Sequence, residues 1–104
     1  MRIEVLGEGK ISQQARTYAE YRMFAALTQS SKANKVQGVR ILLRPVKLAS
    51  SSCESIACAV TVALEGSDSV RIRTTGPHAY AAINRAVERI RAMAPTGMVD
   101  RVSG

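Results

Sequence analysis

"SVRIRTTGPHAYAAINRAVERIRAM", Ser69 to Met93, holds two periodicities and the corner between them. Val70 and Ile72 alternate with Arg71 and Arg73, the two-residue repeat of a half-buried strand. Beyond Gly76, Ala79, Ile83, Ala86, Val87, Ile90 and Met93 recur at helical spacing and mark the buried stripe of a helix. Pro77 suits the first position of that helix, where a missing N–H costs nothing. Pro95 and Gly97 predict its end. A strand that feeds straight into a helix needs partner strands upstream.

Those partners can be read by working backward. "EGSDS" (Glu65 to Ser69) is a hairpin turn. Before it, Ile56, Cys58, Val60, Val62 and Leu64 share one strand face, and Ala57, Ala59, Thr61 and Ala63 share the other. "ASSS" (Ala49 to Ser52) is a connector. "GVRILLRPVKL" turns Val39, Ile41 and Leu43 inward and Arg40, Leu42 and Arg44 outward. Pro45 removes a ladder donor there and predicts an edge position or a bulge. "QSSKANK" (Gln29 to Lys35) is a polar loop. Ser12 offers a cap for a helix reaching to near Thr28, with a stripe of Ala15, Tyr18, Ala19, Met23, Ala26 and Leu27. At the start, Ile3 and Val5 alternate with Arg2 and Glu4 until the glycines of "GEG" (Gly7 to Gly9) stop the strand.

The order is therefore β-α-β-β-β-α. Strands two to four form an antiparallel meander, and the first joins the second through a right-handed parallel crossover. Both helices must cover the one face that carries the inward residues, leaving the other face to water. The expected fold is an α+β two-layer sandwich with a four-stranded mixed sheet. Residues 1–94 make one domain, and 95–104 form a short flexible tail.

Charge narrows the function. The 104 residues carry 15 Lys+Arg against 8 Asp+Glu, a net charge of +7. Eleven of the basic residues are arginine, whose planar guanidinium holds phosphate in two-pronged fashion. Such a balance favours a polyanion, nucleic acid before membrane. No stretch approaches the ~20 apolar residues of a membrane span. "MRIEVLGEGK" is unlike a signal peptide, so a cytoplasmic location is expected.

Chemistry-bearing groups are few. Cys53 and Cys58 fall on opposite faces if both lie in one strand, and so cannot bridge there. With one histidine they cannot complete a four-ligand zinc site. No nucleophile–base pair, carboxylate dyad or phosphate-cradling glycine loop is visible, and "GEGK" is too short for one, so no enzyme and no cofactor is expected. His78 reads as a polar surface residue, and Tyr80, like Tyr21 and Phe24, could stack on a base or pack at the helix edge. Aromatics make up 4% of the chain, too few for a base-stacking platform.

The basic residues remain. Arg85 and Arg89 share one exposed face of the last helix, and Arg91 lies on the opposite flank. The first helix exposes Arg16 and carries Arg22 at the margin of its stripe, with Lys10 just before it. Packed side by side, the helices would gather Lys10, Arg16, Arg22, Arg85, Arg89 and Arg91 into a basic ridge, the candidate RNA-binding site. The open sheet face carries Arg2, Arg40, Arg44, Arg71 and Arg73 and is a rival surface.

"GPHAYAAINRAVERI" is similar to the G-x-D-x-Y-A-A-I-D pattern that opens the final helix in the ribosome hibernation-promoting and ribosome-associated inhibitor family. Gly76, Tyr80, Ala81, Ala82 and Ile83 match it, whereas His78 and Asn84 stand in place of acids. "ISQQARTYAEYRMFAAL" resembles the family's first helix, with Arg16 and Arg22 at positions usually basic, and Arg89 falls where a lysine is usual. The likeness runs from Met1 to about Met93 and is to the short, single-domain form. It implies the β-α-β-β-β-α fold and binding to the small ribosomal subunit in the channel used by messenger and transfer RNAs. It further implies arrested translation in stressed or resting cells, and the implied fold suggests packing at the helix edge for Tyr80, Tyr21 and Phe24. The lysine-rich tail of short members and the extra domain of long ones are not expected, so ribosome binding carries over better than any role in ribosome pairing. A monomer is expected, with no small-molecule substrate. The alternative is a double-stranded-RNA-binding module, whose α-β-β-β-α order is close to this one. Against it, the last helix has no basic cluster at its N-terminal end, where a helix best grips phosphate.

Overall fold

The structure, a computed structural model, describes residues 2–28, 35–47, 54–66 and 69–103, with side chains to Ala92. Its elements are β1 (Arg2–Gly7), α1 (Gln13–Thr28), β2 (Val36–Lys47), β3 (Glu54–Leu64), β4 (Val70–Gly76) and α2 (Ala79–Ser103). Most of the predicted 29–35 loop, the whole 49–52 connector, Cys53 and two residues of the 65–69 hairpin lie outside the described residues.

The sheet order is β1-β2-β3-β4. β1 pairs with β2 in parallel, and the other two pairings are antiparallel. The mixed sheet follows from the two connection types: a helix carries the chain from β1 to a parallel β2, and a hairpin turns β3 back as β4. Val39, Ile41 and Leu43 from β2, Cys58, Val60 and Val62 from β3 and Ile72 from β4 form one buried cluster. Met23 and Leu27 of α1 and Ile83, Val87 and Ile90 of α2 complete it, so both helices cover the same face. Met23, Ile41, Leu43, Ile83 and Val87 are each 0% exposed. Burial of a side chain that size stabilises by roughly 1.5–3 kcal/mol.

α1 begins as the sequence predicts: the Ala15 N–H donates to Ser12 Oγ at 3.1 Å. α2 begins differently. Pro77 precedes the helix, and His78 is the cap, its Nδ1 accepting from the Ala81 N–H at 3.2 Å and its carbonyl from the Ala82 N–H at 3.2 Å. The imidazole Nδ1 thus takes the place of the side-chain oxygen that ordinarily caps a helix. α2 also runs past the predicted stop, to Ser103. Pro95 breaks one helical hydrogen bond, and the helix-forming run "RAMA" (Arg91 to Ala94) leads the backbone through it.

Pro45 sits in unbroken register with Ile56, and the one irregularity of β2 falls between Val36 and Gly38 instead. The reason is β1's length. Leu43 directs its backbone toward β1, since its carbonyl accepts from the Glu8 N–H at 2.9 Å, and Pro45 directs its own nitrogen the same way two residues on. β1 has ended by then, at Gly7. The lost donor faces no strand.

The helix–sheet joint depends on small residues. A Cβ added at Gly76 would lie 2.7 Å from Ala82 N and 2.9 Å from Ala81 Cβ. Thr74, the buried polar side chain of β4, donates its hydroxyl to the Ala82 carbonyl at 2.8 Å. Ala82, outside the predicted stripe, is fully buried because of this close approach. Gly76→Ala places a methyl against helix backbone that cannot rotate away, so a loss of about 1–3 kcal/mol is expected, read as a lower urea midpoint with the slope unchanged.

Candidate nucleic-acid interface

Successive residues of a helix are 100° apart, and that rotation distributes the six predicted residues. Arg85 and Arg89 lie on the flank of α2 that overhangs β4. An Arg85 Nη1–H donates to the Thr75 carbonyl at 2.6 Å, which fixes the guanidinium at the sheet edge with further donors free. Arg73, Asn84, Arg85, Glu88 and Arg89 line a cleft of about 570 Å³ with Thr74 and Thr75.

Arg91 lies on the other flank of α2, which faces α1. Tyr18 of α1 donates its hydroxyl to Asn84 Oδ1 at 2.6 Å, and its ring meets that of Tyr80 edge-on at 5.0 Å. Asn84 and Tyr80 are positions of the family pattern, and here they lock the two helices together. Arg22, one turn beyond Tyr18, follows the same seam. Its Nε–H is covered and has no hydrogen-bond partner. Arg16 lies on the far flank of α1, where it lines a cleft of about 180 Å³ with Val5, Gln13, Thr17 and Glu20. Its stem runs beside Gly7, its Nε is likewise covered, and its Nη2–H donates to Gln13 Oε1 at 2.7 Å. Both arginines lay an apolar stem along the protein and carry their charge outward. Lys10 is exposed in the turn before α1, just after Gly9 at φ 66°.

Helix rotation thus spreads the residues expected to form one ridge: Arg85 and Arg89 make a first group at the β4 edge, Arg91 lies on the other flank of α2, Arg22 at the margin of the α1 stripe, and Arg16 lines the cleft beside Val5. The side chain that sequence reasoning assigned to another surface is Arg73, which joins the first group. Its strand alternation placed it on the open sheet correctly, but only the tight β4–α2 joint shows that the edge is shared.

On the open sheet, Arg2, Glu4, Arg40, Thr61 and Arg71 line a shallow groove of about 530 Å³. Arg40 Nε–H donates to Glu4 Oε1 at 3.0 Å, and Arg44 lies 4.0 Å from Glu8. Arg71 and Arg73 have no carboxylate partner among the described residues. Tyr80 packs on Tyr18 as expected, but Tyr21 and Phe24 are 70% and 51% exposed, because they lie on the side of α1 opposite Ala19, Met23 and Ala26.

Other chemistries find little material. The described residues contain no cluster of three metal-ligating side chains and no helix long and apolar enough to cross a membrane. Cys58 is a free, buried thiol. Burial pushes it up from 9.0 to about 12, away from the thiolate a nucleophile requires.

No protein-family model matches the sequence, and no curated protein matches it. Among solved structures, a ribosomal subunit interface protein from Coxiella burnetii is similar to it with a TM-score of 0.74 and 16% identity, over 95% of this chain and 99% of that one. At this identity the likeness is one of fold, and the fold is the one that the "GPHAYAAINRAVERI" pattern implies.

Two measurements test these local assignments. His78→Asp should raise stability by about 0.5–1 kcal/mol, since a carboxylate caps well and opposes the helix dipole; an unchanged urea midpoint would remove His78 from the cap. In a Cys53→Ser background, Cys58 should resist iodoacetamide at pH 8 until denaturant is added. Because burial raises the folded thiol above 9.0, the unfolded chain deprotonates first, and stability should fall as pH climbs from 9.0 toward 12.

Proposed function

We propose that the protein is a ribosome-associated translation regulator of the hibernation type. It binds small-subunit rRNA through the basic helix surfaces and occupies the channel of messenger and transfer RNAs in stressed or resting cells. The observation that carries the reading is the correspondence of nearly the whole chain, with no large insertion, to a ribosomal subunit interface protein. The net charge of +7 suits an RNA partner. Lys10, Arg16, Arg22, Arg85, Arg89 and Arg91 are the proposed RNA contacts, acting in the cytoplasm from a monomer, without catalysis or a cofactor. The distribution of these side chains favours a site walled by RNA on several sides over the duplex-binding alternative, in which one surface contacts two successive minor grooves.

The test is co-sedimentation with purified small subunits. Binding should weaken steeply as salt rises, because each phosphate contact releases counterions. Arg85→Glu with Arg89→Glu leaves Ile83, Val87 and Ile90 in place, so the fold should persist while subunit binding falls at least tenfold at low salt. A plain RNA duplex should compete poorly. Salt-indifferent binding, or competition by duplex equal to that of subunits, would overturn the reading.

A further inference from the structure

We infer that the RNA contact does not end on α2 but turns over the free edge of β4 onto the open sheet, with Arg73 as the pivot. The inference rests on the RNA-binding reading above and locates one strand of its ligand. Four observations lead to it. β4 closes the sheet on one side, so its outer backbone groups have no strand partner among the described residues. The Thr75 carbonyl faces that edge, because Arg85 reaches it at 2.6 Å. Backbone direction alternates along a strand, so the N–H groups of Arg73 and Arg71 face the same edge, while their side chains rise on the open sheet. Arg73 also lines the cleft under α2 together with Arg85 and Arg89.

The charge at this edge fits one kind of ligand. Arg73, Arg85 and Arg89 line the cleft, and Glu88 is the one carboxylate residue among its lining. Arg71 continues the band outside it, and neither it nor Arg73 has a carboxylate partner among the described residues. The arginines of β2 differ, since Glu4 and Glu8 partly neutralise Arg40 and Arg44. No aromatic side chain lines the cleft, so it offers no surface on which to stack bases. Backbone N–H groups beside guanidinium groups bind phosphate oxygens. The occupant is therefore a phosphodiester backbone strand of RNA, held without regard to sequence.

The probe is a fluorescent single-stranded RNA of mixed sequence, measured by anisotropy across a salt series with the full chain, beside co-sedimentation with small subunits. Each phosphate-binding arginine should contribute roughly five- to eightfold in affinity between 1 M and 0.1 M salt. Arg73→Gln should weaken binding by about that factor at 0.1 M and make the salt slope shallower by nearly one. Arg71→Gln should do the same to a smaller extent. Glu88→Gln should tighten binding roughly two- to fivefold at low salt, a gain that damage to the fold cannot mimic. Arg40→Gln removes the same charge two strands away from Arg71, where Glu4 already partly neutralises it, and should leave the slope unchanged. Should Arg73→Gln and Glu88→Gln both behave as wild type, or Arg40→Gln act like Arg73→Gln, the edge is not the site. Failure of wild type to bind the single strand at all would also overturn it. The ribosomal reading fails separately, if wild type binds the oligonucleotide with this pattern but does not sediment with subunits.

Discussion

The close approach of β4 to α2 at Gly76 sets the geometry of the basic cleft at the β4 edge. A helix resting on a sheet is ordinarily held off by side chains on both sides, with about 10 Å between layers. At Gly76 one of those side chains is missing, and the helix backbone at Ala82 comes within 2.7 Å of where a Cβ would stand. The Thr74 hydroxyl then reaches the Ala82 carbonyl directly. With the start of α2 pinned at this height, the next turn carries Arg85 over the strand edge to the Thr75 carbonyl. The position of the charge therefore derives from the smallest residues in the motif.

The same region explains why the "GPHAYAAIN" run reads as it does. Gly76 permits the approach, His78 starts the helix, Ala82 fits beneath Thr74, and Ile83 enters the core. Tyr80 and Asn84, on the opposite side, engage Tyr18 and hold α1 in place. Their contacts are structural, and they carry α2 to the place where Arg85 reaches the Thr75 carbonyl.

How much of this was legible in the sequence follows from which forces are periodic. Inward positions such as Val39, Ile41, Leu43, Val60 and Ile83 were legible because burial repeats every two or every 3.6 residues. The Ser12 cap was legible because hydroxyl capping has a local signature. The edge at Pro45 was half legible: the missing donor could be read, but not that β1 would stop short of it. Pro77 was placed two residues too far into α2, which starts at Ala79, because capping by the unusual His78 has no common pattern. Ala82 and Ala57 were missed for a shared reason. A methyl gives little hydropathic signal, and its burial depends on neighbours from other elements: Thr74 for one, the register partners Arg44 and Thr75 for the other. The basic residues were legible as a set but not as an arrangement. Arg16 and Arg22 are six residues apart and so stand about 120° apart on opposite sides of the buried stripe. The meeting of Arg73 with Arg85 joins two elements and depends on their separation, which no pattern within either one encodes.

This arrangement also bears on the shape of the partner. A duplex presents a convex cylinder, and a protein that binds it gathers its charge on one surface. Here the cleft of Arg85 and Arg89 at the β4 edge and the cleft of Arg16 beside β1 lie on different sides of the fold, and neutralising carboxylates stand beside Arg40 and Arg44 on β1 and just after it. A cylinder laid on any one group would leave the others facing solvent, where salt screens them and they add little to binding. Under the proposed function, concave RNA with strands on more than one side would let the groups act together, since the counterions released at each contact add. A surface charged in several directions leaves part of its charge unused on a rod, and that difference is what favours the proposed channel over the duplex.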